Sequence, residues 1–434
     1  MLSKNEIFAV LDFWNFWQKK PKNIIKREYY QKQIDISKKA REIIVFQGIR
    51  RSGKSTLMNL EIKNLIEQGI NPKNILFVNL EDPKFLNYLN VDLLERIFET
   101  YLEFLNPKNN IYIFLDEVQN IKFWEKWVLK FYEKKKNIQI YVTGSSSKLF
   151  NDDFATALSG RHLKINVFPL DFKEFLEFNQ ISTYNKIDLI RNKIKIKNLF
   201  QQYVLWGGFP KVSLIQDKQN KKRELITYFD TIIIKDICKR YDIKPQEINN
   251  LAYYLCSNNA KLFSVNKLKN LKFGAYDTIK KYMSYLKEVY LFFDLSIFSY
   301  SLKVQMINQK KIYSIDTGLI NSVGFQFSEN FGRLLENIVF LELKRNSDFE
   351  IFYHKQKKEC DFLIKEKNKI RQAIQVCSNL NFIDTKNREI TGLIEAMQTY
   401  DLKQGLILTD DQEDEFLIDN LKIVIQPIWK WLLQ

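Results

Sequence analysis

Histidine and cysteine are scarce in this chain. Its 434 residues hold two histidines, His162 and His354, and four cysteines, Cys238, Cys256, Cys360 and Cys377. The histidines lie far apart and no two cysteines form a CxxC pair, so spacing assembles no zinc site. Scattered thiols suit a reducing compartment rather than a disulfide framework. A run of eighteen apolar residues is missing, which argues against a membrane-spanning helix. The opening MLSKNEIFAVLDFWNFWQKK interleaves charges with apolar side chains and lacks the long apolar core and cleavage site of a secretion signal. It predicts a helix packed on the domain next in the chain. With 13 Gly and 8 Pro there is no internal repeat and no long low-complexity linker. The expectation is a cytoplasmic chain with no membrane partner.

What is present bounds the rest. The length exceeds what one hydrophobic core serves, so two to four domains are expected. A content of 45% hydrophobic and 27% charged residues is that of an ordinary globular protein. The net charge of +16 favours a polyanionic partner. The bland reading has equal weight, because the lysines are spread through a Lys-, Ile- and Asn-rich sequence of the kind AT-rich genomes produce.

The densest chemistry stands at residues 47–58, QGIRRSGKSTLM. The apolar run Ile43 to Phe46 predicts a buried strand, residues from Gly48 a loop, and Lys54 onward a helix. Glycines at 48 and 53 allow loop amides to turn inward, and the helix N-terminus adds a favourable dipole. The loop Gly48, Ile49, Arg50, Arg51, Ser52, Gly53 with Lys54, Ser55 and Thr56 is therefore a candidate nucleotide cradle. Lys54 suits the β- and γ-phosphates of ATP and Ser55 suits Mg²⁺, with Thr56 a neighbour rather than a second ligand. Arg50 and Arg51 are unusual in such a loop and are expected to face solvent or a neighbouring subunit.

A second strand, NIYIFLDEVQNI, comes 62 residues later (116 − 54) and ends in two acids. Asp116 suits Mg²⁺, held through water, and Glu117 the polarisation of an attacking water. A third strand, IQIYVTGSSS, ends in Thr143, Gly144 and Ser145. A polar side chain there, with Ser145 the candidate, can lie between the acids and sense a γ-phosphate. FATALSGRHLKINVFPL then reads helix, turn, strand, with Arg161 at the helix end.

This combination resembles the AAA+ superfamily, and more narrowly prokaryotic ATPases that carry TGSSS…LSGR…PLDFKEF as this chain does. The resemblance implies that an Arg placed like Arg161 reaches the γ-phosphate of an adjacent subunit in a homo-oligomer. Capping of its own helix is the alternative of equal weight. Gly208-Phe209-Pro210 in YVLWGGFPKV resembles the lid motif of STAND-type ATPases, in which the proline neighbours adenine. The alternative is a simple helix-breaking turn.

Further on, EINNLAYYLCSNN, VNKLKNLK and AYDTIKKYMSYLKE have helical spacing, and YLFFDLSIF and KIYSIDTGL suggest a hairpin. That order predicts a winged helix-turn-helix. Its third helix, Tyr276 to Lys287, would offer Thr278, Lys280, Lys281, Tyr282 and Lys287 to DNA. A rigid packing or protein-contact module is the competing reading.

The last hundred residues give an amphipathic helix with Glu336 and Glu342, then three strand-like runs carrying Asp361 and, fourteen residues on (375 − 361), Gln375-Val376-Cys377. They resemble the PD-(D/E)XK nucleases, whose pattern EVDF…EVK is here ECDF…QVC. Gln375 is a poor Mg²⁺ ligand and Cys377 prefers softer metals, so cleavage is expected to be lost and the fold kept as a platform.

The expected architecture is α/β: a P-loop AAA+-like parallel-sheet core with a helical lid, a winged helix-turn-helix and a C-terminal nuclease-like domain. Boundaries are set at 1–40, 41–170, 171–235, 236–325 and 326–434. The expected function is a Mg²⁺-dependent ATPase that couples nucleotide state to DNA or a DNA-bound partner. A STAND-like switch acting on a protein partner is the alternative, and an ATP-regulated nuclease a minor one.

Overall fold

The computed structural model describes residues 2–21, 24–134, 137–147, 160–183, 185–325, 331–346 and 348–434. The helix expected in FATALSG falls at 154–160, and all but its last residue lies outside them. The chain divides into two compact units, residues 1–167 and 168–434.

The first unit is built on a parallel five-stranded sheet. Its strands are β1 (Ile43–Gln47), β2 (Ile75–Asn79), β3 (Ile111–Asp116), β4 (Ile138–Gly144) and β5 (His162–Asn166), in the order β2-β3-β4-β1-β5. A parallel sheet must be covered on both faces, which is why these strands read as unbroken apolar runs. Alternate residues serve the two faces. Ile43, Val45, Leu76, Val78, Ile113, Leu115, Ile140 and Val142 join a core with helices α1 (Lys4–Trp14), α4 (Val91–Leu105) and α5 (Trp124–Lys134). Ile44, Phe46, Ile75, Phe77, Phe114, Tyr141 and Ile165 pack against α2 (Glu28–Ala40) and α3 (Lys54–Glu67). Phe114 and Tyr141 stack there with ring centroids 4.3 Å apart.

The expected N-terminal helix is α1. Its Ser3 cap accepts the Glu6 N–H while Glu6 accepts the Ser3 N–H, a reciprocal capping box. Asn15, at its end, exchanges hydrogen bonds with the Phe77 backbone at 2.7 and 2.8 Å and ties the helix to β2.

The second unit opens with helices Phe172–Phe178, Lys186–Arg191, Lys193–Trp206, Pro210–Leu214 and Lys218–Thr231. Three more helices come next, Pro245–Ser257, Val265–Asn270 and Tyr276–Glu288, with a small antiparallel sheet. Its strands β6 (Leu262–Phe263), β7 (Phe292–Leu295) and β8 (Lys310–Ser314) lie in the order β6-β8-β7. The unit ends in a six-stranded mixed sheet in which β9 (Glu350–Lys355), β10 (Glu359–Glu366) and β11 (Lys369–Val376) are antiparallel neighbours. β12 (Gln404–Thr409) and β14 (Leu421–Pro427) continue it in parallel, and β13 (Asp414–Ile418) closes the edge. Helices Phe331–Arg345 and Ile383–Thr399 accompany it. Among the described residues no helix is long and apolar enough to cross a membrane.

Candidate phosphate-binding site

Three neighbouring strand ends make the site. β3, β4 and β1 adjoin in that order and run the same way, so the chain leaves all three on one edge of the sheet, where open parallel sheets hold ligands. After β1 the backbone turns at Gly48, whose φ is +149° and whose missing side chain matters: a Cβ there would lie 2.2 Å from the Val167 carbonyl oxygen. Gly53, at φ +101°, ends the loop and caps α3. The first N–H groups of that fourteen-residue helix have no intrahelical partner and face the loop.

Lys54 is buried, and its ammonium donates to the Gly48 and Ile49 carbonyl oxygens at 3.0 and 3.1 Å. Its Nζ lies 3.9 Å from Glu117 Oε1. The Ser55 hydroxyl donates to Asp116 Oδ1 at 3.0 Å. Thr143, on the strand between, donates its hydroxyl to the same oxygen at 2.5 Å and accepts the Glu117 N–H at 2.8 Å. One side chain of β4 thus fixes both acids. Ser145 is buried and accepts from the Gln119 amide at 3.2 Å, and that amide also donates to Glu117 Oε2. Thr56 is exposed.

Electrostatics separates the two acids. Burial, and then the Glu117 charge beside it, raises the Asp116 carboxyl above the usual range. Burial acts on Glu117 in the same direction, but Lys54 and Arg50, with hydrogen bonds from Gln119 and Ser145, outweigh it and hold this carboxyl low. Glu117 is therefore held ionised, the state a proton acceptor needs. The Ser55 hydroxyl and Asp116 carboxylate are hard oxygen donors of the kind Mg²⁺ takes, and the Ser52 hydroxyl is buried on the loop with no partner. These residues fit a magnesium-bound phosphate.

A family model described as an AAA domain matches residues 40–176, the stretch that contains this arrangement. An uncharacterized protein of Methanocaldococcus jannaschii is 33% identical over 100% of this chain and 96% of its own length. The chain belongs to the P-loop AAA+ ATPase superfamily. A second relative, an uncharacterized protein of Haemophilus influenzae, is 28% identical over 95% of this chain and 100% of its own. A model described as a domain of unknown function matches residues 197–330, the middle of the chain rather than its C-terminal end. The structure of the Aeropyrum pernix ORC1 protein in complex with DNA covers 74% of this chain and 97% of that one, at 9% identity and a TM-score of 0.32. A likeness that slight carries no argument.

The arginines expected near the site take distinct places. Arg50, expected to face solvent or a neighbouring subunit, makes a forked pair with Glu81 of its own chain, at 3.0 and 3.4 Å. Arg51 is exposed, at φ +71°. Arg161 pairs with Glu133 at 3.0 Å and gives its carbonyl to the Ile43 N–H, at the start of β5. The phosphate loop leaves the opposite end of β1, four residues on (47 − 43) and about 13 Å away at strand rise, so Arg161 does not complete the cradle of its own chain. One residue the sequence did not offer is Arg27, buried, which donates to the Ser52 carbonyl at 3.0 Å and lies over the Tyr30 ring at 4.4 Å.

In the second unit, Pro210 is the first residue of the helix Pro210–Leu214. The turn before it is pinned: Asp316 accepts the Gly208 N–H at 2.7 Å, and a Cβ on Gly207 would strike the same carboxylate at 2.0 Å. The C-terminal acids do meet, around a cation. Lys311 of β8 is buried, and its ammonium lies 3.0 Å from Glu336, 2.8 Å from Glu359 and 2.7 Å from Asp361. Burial alone would lower its affinity for a proton, but the charges of Asp361 and Glu336 outweigh that and hold it firmly protonated. Gln375 adjoins this cluster, accepting the Asp361 N–H at 3.1 Å and donating to Glu389. Burial pushes the Cys377 thiol up to about 12. Glu342 pairs with Arg345 at 3.1 Å.

Proposed function

We propose that this chain is a Mg²⁺-dependent ATPase whose nucleotide state is coupled to DNA. The single observation that supports hydrolysis is the convergence of Lys54, Ser55, Asp116, Glu117 and Thr143 into one hydrogen-bonded cluster beside the glycine loop. In this reading the amides of residues 48–56 and the Lys54 ammonium bind the β- and γ-phosphates, leaving the loop carbonyls that Lys54 now holds. Ser55 and, through water, Asp116 hold Mg²⁺, which supplies charge neutralisation on the phosphate oxygens. Glu117 accepts the proton of a water whose oxygen bonds to the γ-phosphorus while the bond to the β–γ bridging oxygen breaks, giving ADP and phosphate. Ser145 senses the γ-phosphate. Arg161 serves the cradle of a second copy, since its own is out of reach.

The DNA half rests on the helices Val265–Asn270 and Tyr276–Glu288. Their order with β6, β7 and β8 supports the winged-helix reading. Lys267, Lys269, Lys272, Lys280 and Lys281 are exposed there, and among the described residues none is in an ion pair. Two side chains drop out of the reader: Lys287 pairs with Asp294 at 3.1 Å, and Tyr282 is buried with its hydroxyl on Glu247 at 2.7 Å. No cleavage chemistry is assigned to the C-terminal acids, because the Lys311 ammonium occupies the space between them.

The test is steady-state ATP hydrolysis with and without duplex, single-stranded and branched DNA, beside Lys54→Ala. The expected result is turnover stimulated by one DNA form, with Lys54→Ala losing at least about 10²-fold of it. Hydrolysis indifferent to every DNA form would favour the switch acting on a protein partner. Turnover unchanged in Lys54→Ala would overturn the assignment of the site.

A further inference from the structure

We propose that Gln119 is a positioning residue for hydrolysis, resting on the ATPase reading above: one amide N–H aims the Glu117 carboxylate and the other ties it to the sensor Ser145. The argument begins in the backbone. Glu117 has φ +60°, a conformation an ordinary residue holds only under constraint, and such outliers gather at functional sites. A single helical turn over Val118–Asn120 comes next, closed by Asn120 N–H to Glu117 O at 3.2 Å and Ile121 N–H to Val118 O at 3.0 Å. Val118 and Ile121 are fully buried and anchor that turn in the core. Anchoring on both sides leaves Gln119 directed back at the acid two residues before it.

Its Nε2 donates to Glu117 Oε2 and, at 3.2 Å, to Ser145 Oγ. Lys54, a further partner of Glu117, lies 3.9 Å from the opposite oxygen, Oε1, and bonds the loop carbonyls. When phosphates draw Lys54 away, Gln119 still orients Glu117 and, through its bond to Ser145, also holds the second side chain that hydrogen-bonds this carboxylate. Its own carbonyl oxygen is buried without a hydrogen-bond donor, an acceptor beside the acid that a water can satisfy. A merely structural glutamine would bond backbone groups to brace the turn; this one gives both of its N–H bonds to side chains of the site.

The experiment uses the full chain with Gln119→Ala and the similar-sized Gln119→Leu, each alone and with Glu117→Gln. ATP affinity is read directly by binding and kcat by phosphate release. The expected result is Kd within about threefold of wild type while kcat falls about 10- to 100-fold, the scale of a misplaced reacting group. In the Glu117→Gln background, adding Gln119→Ala should change kcat by less than about twofold, because the residue acts through Glu117. Wild-type kcat in both variants would overturn the inference, and so would a loss of affinity in step with kcat, which would make Gln119 a brace of the loop. An additive double variant would overturn it as well. A wild-type chain that binds ATP but never hydrolyses it would instead bring down the ATPase reading itself, an outcome distinct from an active wild type with active Gln119 variants.

Discussion

Thr143 shows how much a single hydroxyl can organise. Its hydroxyl donates its hydrogen to Asp116 and its oxygen accepts the Glu117 N–H, so it is the hinge between the acid that suits the metal and the acid that suits water. Thr143→Val keeps the volume and removes both bonds. A buried backbone N–H is left without a partner, which costs about 1–3 kcal/mol. We expect a lower Tm in thermal unfolding and a fall in kcat larger than the fall in ATP affinity; an unchanged kcat would mean that Asp116 and Glu117 are held by other groups. At this scale the sequence was informative where chemistry is local. Lys54 and Ser55 are legible from the loop spacing, and Asp116-Glu117 from acids closing an apolar run. Arg27 and Glu81 were not legible, because each acts through a partner set by the fold: Arg27 reaches a carbonyl 25 residues on (52 − 27), and Glu81 an arginine 31 residues back (81 − 50).

Between elements, the most consequential joint outside the phosphate site is Asp316. It accepts N–H groups from Gly208 and Leu319 and so fastens the turn before Pro210 to the helix Thr317–Val323. Burial raises its carboxyl to about 7, against the pull of those N–H groups and of Arg345. The folded chain thus keeps a proton that the unfolded chain has released by about pH 4. Stability from this group is complete below the unfolded value and is lost as pH rises through about 7. Asp316→Asn removes the titration. The Tm advantage of wild type over this variant should shrink between pH 5 and pH 8.5, and an advantage constant across that range would show that the carboxyl is not buried as described. The helices of residues 245–288 and the strand-like runs of β7 to β11 were legible from periodicity, whereas β2, β12, β13 and the helix Ile383–Thr399 were not singled out. The cation at the C-terminal acids was not. The lysine missing at position 377 is matched by one on β8, 50 residues before Asp361 (361 − 311), and only tertiary structure brings it there.

Over the whole molecule, the charge of +16 decides little until it is divided into paired and unpaired cations. Lys54, Lys287 and Lys311 are each committed to acids or carbonyls within the fold, whereas Lys267, Lys269, Lys272, Lys280 and Lys281 are exposed on two helices and the turn between them. These five fall within residues 267–281, a local concentration of exposed charge in a lysine-rich chain. If each neutralises one phosphate of duplex DNA, log K should fall against log salt with a slope of about −4.5, five times −0.9. That corresponds to about a 500-fold loss of affinity between 50 and 200 mM salt. Replacing Lys280 and Lys281 by alanine should flatten the slope by about 1.8 while leaving ATP binding intact, since both lie outside residues 40–176. A titration of DNA binding against salt for the two proteins reads both slopes. Equal slopes would take the contact away from this pair of helices, and binding insensitive to salt would remove the polyanion from the reading altogether.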